Sequence, residues 1–168
     1  MVTSVFNTYM GWIAILGSSR GLVSVTLPRN SSQEALEGLG GLLNNAILSP
    51  DRFKDLIKHL KAYFSGYEVS FPDELDLSTA TPFQRKVWQI TRLIPYGETR
   101  SYGWLAEKVG KPGAARAIGQ AMARNPLPII IPCHRVISGN GRLGGFSGGV
   151  EMKRRLLQLE AAATSHQR

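Results

Sequence analysis

The chain has 168 residues, 43% hydrophobic and 19% charged, with a net charge of +8. That is enough apolar material for a core in one ordinary domain or two small ones. No apolar run approaches the ~20 residues that span a bilayer, and no basic stretch followed by an apolar one opens the chain, so neither a membrane association nor a signal peptide is expected. The single cysteine, Cys133, excludes an internal disulfide and a cysteine-rich zinc site, and His59, His134 and His166 are scattered. No metal is expected, and a reducing intracellular compartment fits best.

In chain order, "WIAILGSSRGLVSVTLP" reads as two strand-like runs around a Gly17–Gly21 turn, a hairpin. "SSQEALEGLGGLLNNAIL" opens with Ser31 and Glu34 at capping-box spacing, but Gly38, Gly40 and Gly41 weaken the helix. "DRFKDLIKHLKAYFSG" is a stronger helix, with Phe53, Leu56, Ile57, Leu60 and Phe64 on one face and Gly66 as its stop. "YEVSF" suggests a further strand. The acidic, proline-flanked "PDELDLSTATP" then marks a change of character, and a domain boundary is expected there, dividing residues 1–78 from 79–168.

The charge supports that division. Up to Ser78 there are 6 Lys/Arg against 8 Asp/Glu, a net of −2; from Thr79 there are 14 against 4, a net of +10. A basic half is either a solvated face or a module for a polyanion, because cations that neutralise phosphates release condensed counterions.

In the basic half, "TPFQRKVWQITRLIPYGET" starts a helix, with Thr81 as N-cap, Pro82 at the first position and Gln84 closing a capping box. Phe83, Val87, Ile90 and Ile94 form its expected buried stripe. "SYGWLAEKVGKPGAARAIGQAMARN" gives two short helices, roughly 101–109 and 113–124, joined by "GKPG" at helix-turn-helix spacing. The second is nearly bare: Ala114, Ala115, Ala117, Gly119, Ala121 and Ala123 surround Arg116 and Arg124. Small side chains let a helix backbone come close to another surface, either a neighbouring helix or a ligand. The tail "AAATSHQR" is expected to fray.

"GNGRLG" at 139–144 matches a dinucleotide fingerprint in letters only. That motif needs its last glycine to open a helix whose N-terminus holds pyrophosphate. Here more glycines follow, and the stretch reads as an Asn-Gly hairpin turn and a glycine loop that could wall a pocket.

Cys133 lies in "IIIPCHRVI". A lone cysteine is either a small buried hydrophobe or a nucleophile. A thiol needs a nearby base or cation to become a thiolate near neutral pH, and His134 and Arg135 follow directly. On an extended strand, adjacent residues face opposite ways, so a water or a bend must connect Cys133 to His134. A histidine base also needs a partner to fix its tautomer. Glu98, Glu107, Glu151 and Glu160 are the acids of this half, and spacing does not choose among them.

"PCHRV" at 132–136, with "FQRKVWQ", "IPYGETRSYGWLA", "ARAIGQAMARNPLPIIIPCHRVI" and "GGFSGG...K..LL..E", resembles the O6-alkylguanine-DNA alkyltransferases over roughly residues 80–160. The first 78 residues agree only in layout. The resemblance implies an α/β (α+β) protein: a small strand-and-helix domain, then a mostly helical one with a winged-helix-like helix-turn-helix. It implies repair of double-stranded DNA carrying O6-alkylguanine, and O4-alkylthymine as well, by a monomer that uses no cofactor. The protein would bind through the minor groove and flip the base. Its location would be the cytoplasm at the nucleoid, or the nucleus of a eukaryote.

Residue by residue, the resemblance makes Cys133 the alkyl acceptor, His134 its base through a water, and Glu160 the group that orients His134. Asn125 would brace the turn. Tyr102 would donate to the guanine and crowd the phosphate. Arg116 would fill the gap left by the flipped base, with Ala115, Gly119 and Arg124 on the same DNA-facing helix. Met122, Val136, Phe146 and Ser147 would line the base pocket. Phe146 stands where a tyrosine is common in the family, and the zinc ligands of some members are missing.

Two readings compete. A helix-turn-helix regulator with an incidental cysteine would prefer one DNA sequence. A Cys–His hydrolase would turn over on an ester or amide.

Overall fold

The computed structural model describes residues 1–146 and 148–166. The chain forms two compact units, Met1–Ser78 and Thr79–Arg168.

The first unit is built on a four-stranded sheet. Strands β1 (Val2–Thr8), β2 (Gly11–Ser18) and β3 (Gly21–Val25) form an antiparallel meander, and the two-residue β4 (Ile47–Leu48) lies parallel to β1, giving the order β3-β2-β1-β4. The expected hairpin is β2–β3. Strand β1 was not foreseen. Its neighbours Thr3 and Ser4 are both buried, which breaks a two-residue alternation, and Thr3 is accommodated because its hydroxyl donates to the Ile15 carbonyl at 2.8 Å. Strand β2 is central: Ile13 to Leu16 have no exposed surface, as a strand covered on both faces requires. At Gly17 a Cβ would stand 2.8 Å from the Phe53 ring, so that ring fits only over a glycine.

Helix α1 (Ser32–Glu37) is short. The Ser31 hydroxyl accepts from Glu34 N as expected, while the Glu34 carboxylate accepts from the Asn30 amide. The glycines end it, and Gly40–Asn45 forms a 3₁₀ helix. Helix α2 (Lys54–Phe64) buries Leu56, Leu60, Tyr63 and Phe64, with Phe53 at its N-cap; Ile57 is only half-buried. "YEVSF" is not a strand. Phe71 instead packs edge-on against His59 and Tyr63, and sheet-like bonding begins only where Leu22 N donates to the Glu74 carbonyl and Asp76 N to the Leu22 carbonyl.

The second unit opens with α3 (Pro82–Thr91), whose Thr81–Gln84 capping box is complete. Such a cap stabilises a helix by about 1 kcal/mol. Val87, Trp88 and Thr91 are its buried residues, and Ile94 just beyond its end is buried as well, while Phe83 and Ile90 are half-buried, so the face is rotated from the expected stripe. The rotation brings the Trp88 indole under α5 (Ala115–Ala123), where Nε1 donates to the Ala121 carbonyl at 2.9 Å. Helix α4 (Tyr102–Lys108) precedes α5, and α6 (Val150–His166) closes the unit. β5 (Arg100–Ser101) pairs in parallel with β6 (Val136–Ile137).

Three further expectations differ from the structure. The tail expected to fray from Ala161 is helical as far as His166, with Ala163 buried, and Gln167 and Arg168 lie outside the described residues. The "GNGRLG" turn forms, with Ser138 N donating to the Arg142 carbonyl, but it joins no hairpin because β6 before it pairs with β5. Cys133 is not on a strand. Ile129 has φ +75°, Pro132 offers no N–H, and Cys133–Arg135 is a 3₁₀ turn. None of the helices among the described residues is long and apolar enough to cross a membrane.

Candidate active site

The site grows from a short turn that two side-chain clamps hold. Asn125 leaves the end of α5 and donates through Nδ2 to the Ile131 carbonyl at 2.9 Å, while its Oδ1 accepts from Leu127 N at 2.9 Å. This spans the loop that includes the strained Ile129. Cys133 N then donates to the Ile131 carbonyl at 2.7 Å, and Arg135 N to the Pro132 carbonyl. The chain reverses, and Cys133 is left 4% exposed at the floor of a cavity of about 770 Å³.

The walls come from three places. Ser101 caps α4, its hydroxyl accepting from Trp104 N, which sets Tyr102 and Gly103 on one wall. Helix α5 supplies Ala115, Arg116, Gly119, Met122 and Ala123; the glycine loop supplies Gly144, Gly145 and Phe146. Gly144 has φ +73°, and a Cβ there would stand 3.0 Å from the Tyr102 hydroxyl, so the loop closes directly on that tyrosine.

Behind Cys133 lies a buried ionic cluster. His134 Nε2 and Glu160 Oε2 are 2.5 Å apart, and both side chains are essentially unexposed. Arg135 grips the same carboxylate through Nε at 2.9 Å and Nη2 at 3.2 Å, and Gly97 N donates to it at 3.1 Å. Burial alone would push the Glu160 carboxyl up; His134 and Arg135 outweigh it and hold the group at about 2. Glu160 is therefore ionised at neutral pH. Burial lowers the His134 pKa, against the pull of Glu160. A neutral ring that donates from Nε2 to Glu160 keeps Nδ1 as its acceptor.

Lys153 is a second buried cation. Its ammonium donates to the Val136 carbonyl at 2.6 Å and the Gly145 carbonyl at 3.3 Å, and lies over the Tyr102 ring. Burial lowers its pKa to about 8. Burial also pushes the Cys133 thiol up, while hydrogen bonding by Asn125 and the charge of Lys153 pull it back. Tyr102 is raised by burial and then by Cys133, so its hydroxyl stays protonated and able to donate.

Most of the residues singled out in the sequence converge here. Cys133, Tyr102, Ala115, Arg116, Gly119, Met122 and Phe146 share the cavity, with His134, Glu160 and Asn125 behind it. Val136 is not on the wall: it is fully buried in β6 and its carbonyl is taken by Lys153. Arg124 is exposed at the end of α5, off the wall. Ser147 lies outside the described residues. Sequence reasoning missed Arg135 and Lys153 as parts of the cluster. The signal was available, because Lys153, Leu156, Glu160 and Ala163 form one buried stripe of α6, and two charges on such a stripe call for partners.

The fold and the cavity define a class: a protein whose only thiol sits under a helix-turn-helix, with a histidine–carboxylate pair beneath it. The comparisons narrow the class. The family described as "6-O-methylguanine DNA methyltransferase, DNA binding domain" matches residues 82–162. A methylated-DNA–protein-cysteine methyltransferase of Methanosarcina acetivorans is 37% identical over 162 residues, covering 96% of this chain and 99% of its own. That of Mycobacterium tuberculosis is 52% identical over 111 residues, 66% of this chain and 67% of the relative. Among solved structures, Mycobacterium tuberculosis OGT in complex with DNA superposes with a TM-score of 0.83 at 38% identity, over 97% of this chain and 94% of that one. An O6-methylguanine-DNA methyltransferase from Pyrococcus kodakaraensis gives 0.72 at 30% identity, over 95% and 99%. This chain belongs to the methylated-DNA–protein-cysteine methyltransferase family.

Proposed function

We propose that this protein repairs DNA by direct reversal, moving the alkyl group of O6-alkylguanine irreversibly to Cys133. The observation that carries the reading is the placement of the one thiol at the floor of a cavity walled by a small-residue helix bearing Arg116. A base in a duplex cannot reach a buried sulfur, so the nucleotide must leave the stack, at a few kcal/mol. Ala115 and Gly119 let α5 approach the minor groove, and Arg116 occupies the gap the base leaves.

The chemistry is an in-line displacement. The sulfur forms a bond to the alkyl carbon, the carbon–O6 bond breaks, and guanine leaves with the electron pair. The Cys133 proton passes to His134 through a water, and Glu160 stabilises the imidazolium that forms. Tyr102 donates to the departing base as charge develops on it. Lys153 steadies the thiolate and ties the glycine wall to β6. The product is a thioether with no activated carbon, so each molecule acts once. O4-alkylthymine is a second substrate, and the working place is wherever the DNA lies, the nucleoid or the nucleus.

The test is stoichiometric. A duplex containing one O6-methylguanine is titrated with the protein and digested, and the recovered bases are counted. Guanine should appear in proportion to protein added, one per molecule. Release of methanol with continued turnover would support a hydrolase instead.

A further inference from the structure

Two exposed lysines beside the helix-turn-helix are held by aromatic rings. Lys108, in the last turn of α4, has Nζ 5.6 Å from the centroid of Trp104. Lys111, in the turn that leads to α5, has Nζ 5.2 Å from the centroid of Phe83. Arg100 covers Trp104 as well, at 5.5 Å, but its guanidinium already donates to the Thr99 carbonyl and to Glu98. Glu107 neighbours Lys108 in sequence but stands about 100° further round the helix.

A free surface lysine samples many rotamers and loses that freedom when it meets an anion. A lysine resting on a ring face is attracted there and partly ordered beforehand, with N–H donors still turned to solvent. Lys111 stands four residues before Ala115, which lines the cavity. A duplex that takes α5 into its groove therefore brings a sugar–phosphate strand past the α4–α5 turn. The +10 charge of this half makes phosphate the matching partner.

We infer that Lys108 and Lys111, seated on Trp104 and Phe83, form a preset phosphate clamp for the strand that flanks the engaged groove. The inference rests on the DNA-binding reading above. The clamp reads no sequence; it fixes the position of the duplex while the base is extruded.

The experiment measures binding of the full chain to an undamaged duplex of about two helical turns by fluorescence anisotropy, across a series of salt concentrations. Lys108→Gln with Lys111→Gln should weaken binding at least tenfold at low salt and flatten the slope of log affinity against log salt by about two, close to 0.9 per lost phosphate contact. Arg154→Gln with Arg155→Gln, an equal charge change on the exposed side of α6, should leave the slope within about half a unit of wild type. Trp104→Leu should weaken binding several-fold and keep the wild-type slope, because the lysines remain but lose one platform. Thermal melting checks that each variant is folded. An unchanged slope in the lysine pair, or an equal loss in the α6 pair, overturns the clamp while leaving DNA binding itself intact. An unaffected Trp104→Leu removes the platform. Failure of the wild-type chain to bind any duplex at low salt would instead overturn the reading beneath it.

Discussion

Arg135 holds both oxygens of Glu160, Nε on Oε1 at 2.9 Å and Nη2 on Oε2 at 3.2 Å, while His134 takes Oε2 from the other side. One carboxylate thus neutralises a buried guanidinium and fixes a buried imidazole. Removing one member of such a pair costs about 3–5 kcal/mol, because the other charge is left uncompensated. Glu160→Gln should lower stability by about that much at pH 7, read from urea unfolding. The same variant should slow alkyl transfer, and adding His134→Ala should cost little more, because groups acting as a unit are non-additive.

Acid should undo the cluster in two stages. The folded Glu160 pKa, about 2, is depressed below its ordinary value near 4.5. Its contribution is therefore complete above the ordinary value and is lost as pH falls toward 2. His134 is also depressed, by burial. The unfolded state binds its proton first, so stability already declines as pH drops below the ordinary histidine value of about 6.5. Urea midpoints measured from pH 8 to 3 should fall in both windows. The lower fall should be missing in Glu160→Gln.

Lys153→Met tests the second buried cation. It deletes the bonds to the Val136 and Gly145 carbonyls and the positive charge near the thiol. The Cys133 titration, followed by thiolate absorbance, should move upward, and alkyl transfer should fall about tenfold, in line with more than 1 kcal/mol of lost stabilisation. A thiol titration unmoved by the change would show that Lys153 serves only the wall.

Gly144→Ala should be slow toward both duplex and free O6-benzylguanine. The new methyl meets the Tyr102 hydroxyl at 3.0 Å from a backbone with φ +73°. Gly119→Ala has open space around its Cβ and should fold normally. Its methyl stands on the cavity face of α5, so loss should appear with duplex and be small with the free base. Arg116→Ala should show the same split, whereas Tyr102→Phe should slow both substrates by removing a proton donor.

The helix-turn-helix and the floor of the cavity were legible for physical reasons. Thr81, Pro82 and Gln84 specify a helix start locally, and an alanine-rich α5 with one arginine has few uses. Glu160 was legible only through resemblance, because its partners lie 25 and 26 residues earlier and no local pattern pairs them. Strand β1 was hidden by the neighbouring polar residues Thr3 and Ser4, both buried, of which Thr3 bonds to the Ile15 carbonyl of the next strand. The isoleucines before Cys133 suggested a strand because they are β-branched. Asn125 and Pro132 override that preference and turn the chain, and the turn is what places the thiol under the cavity.

The most direct measurement is intact-protein mass, followed by peptide mapping, after incubation with excess duplex containing O6-methylguanine. The protein should gain one methyl group per molecule and no more, located on Cys133. Cys133→Ser should bind the same duplex and gain nothing. A methyl on any other residue, an unmodified protein alongside repaired DNA, or a Cys133→Ser variant that still transfers would contradict one-shot transfer to Cys133.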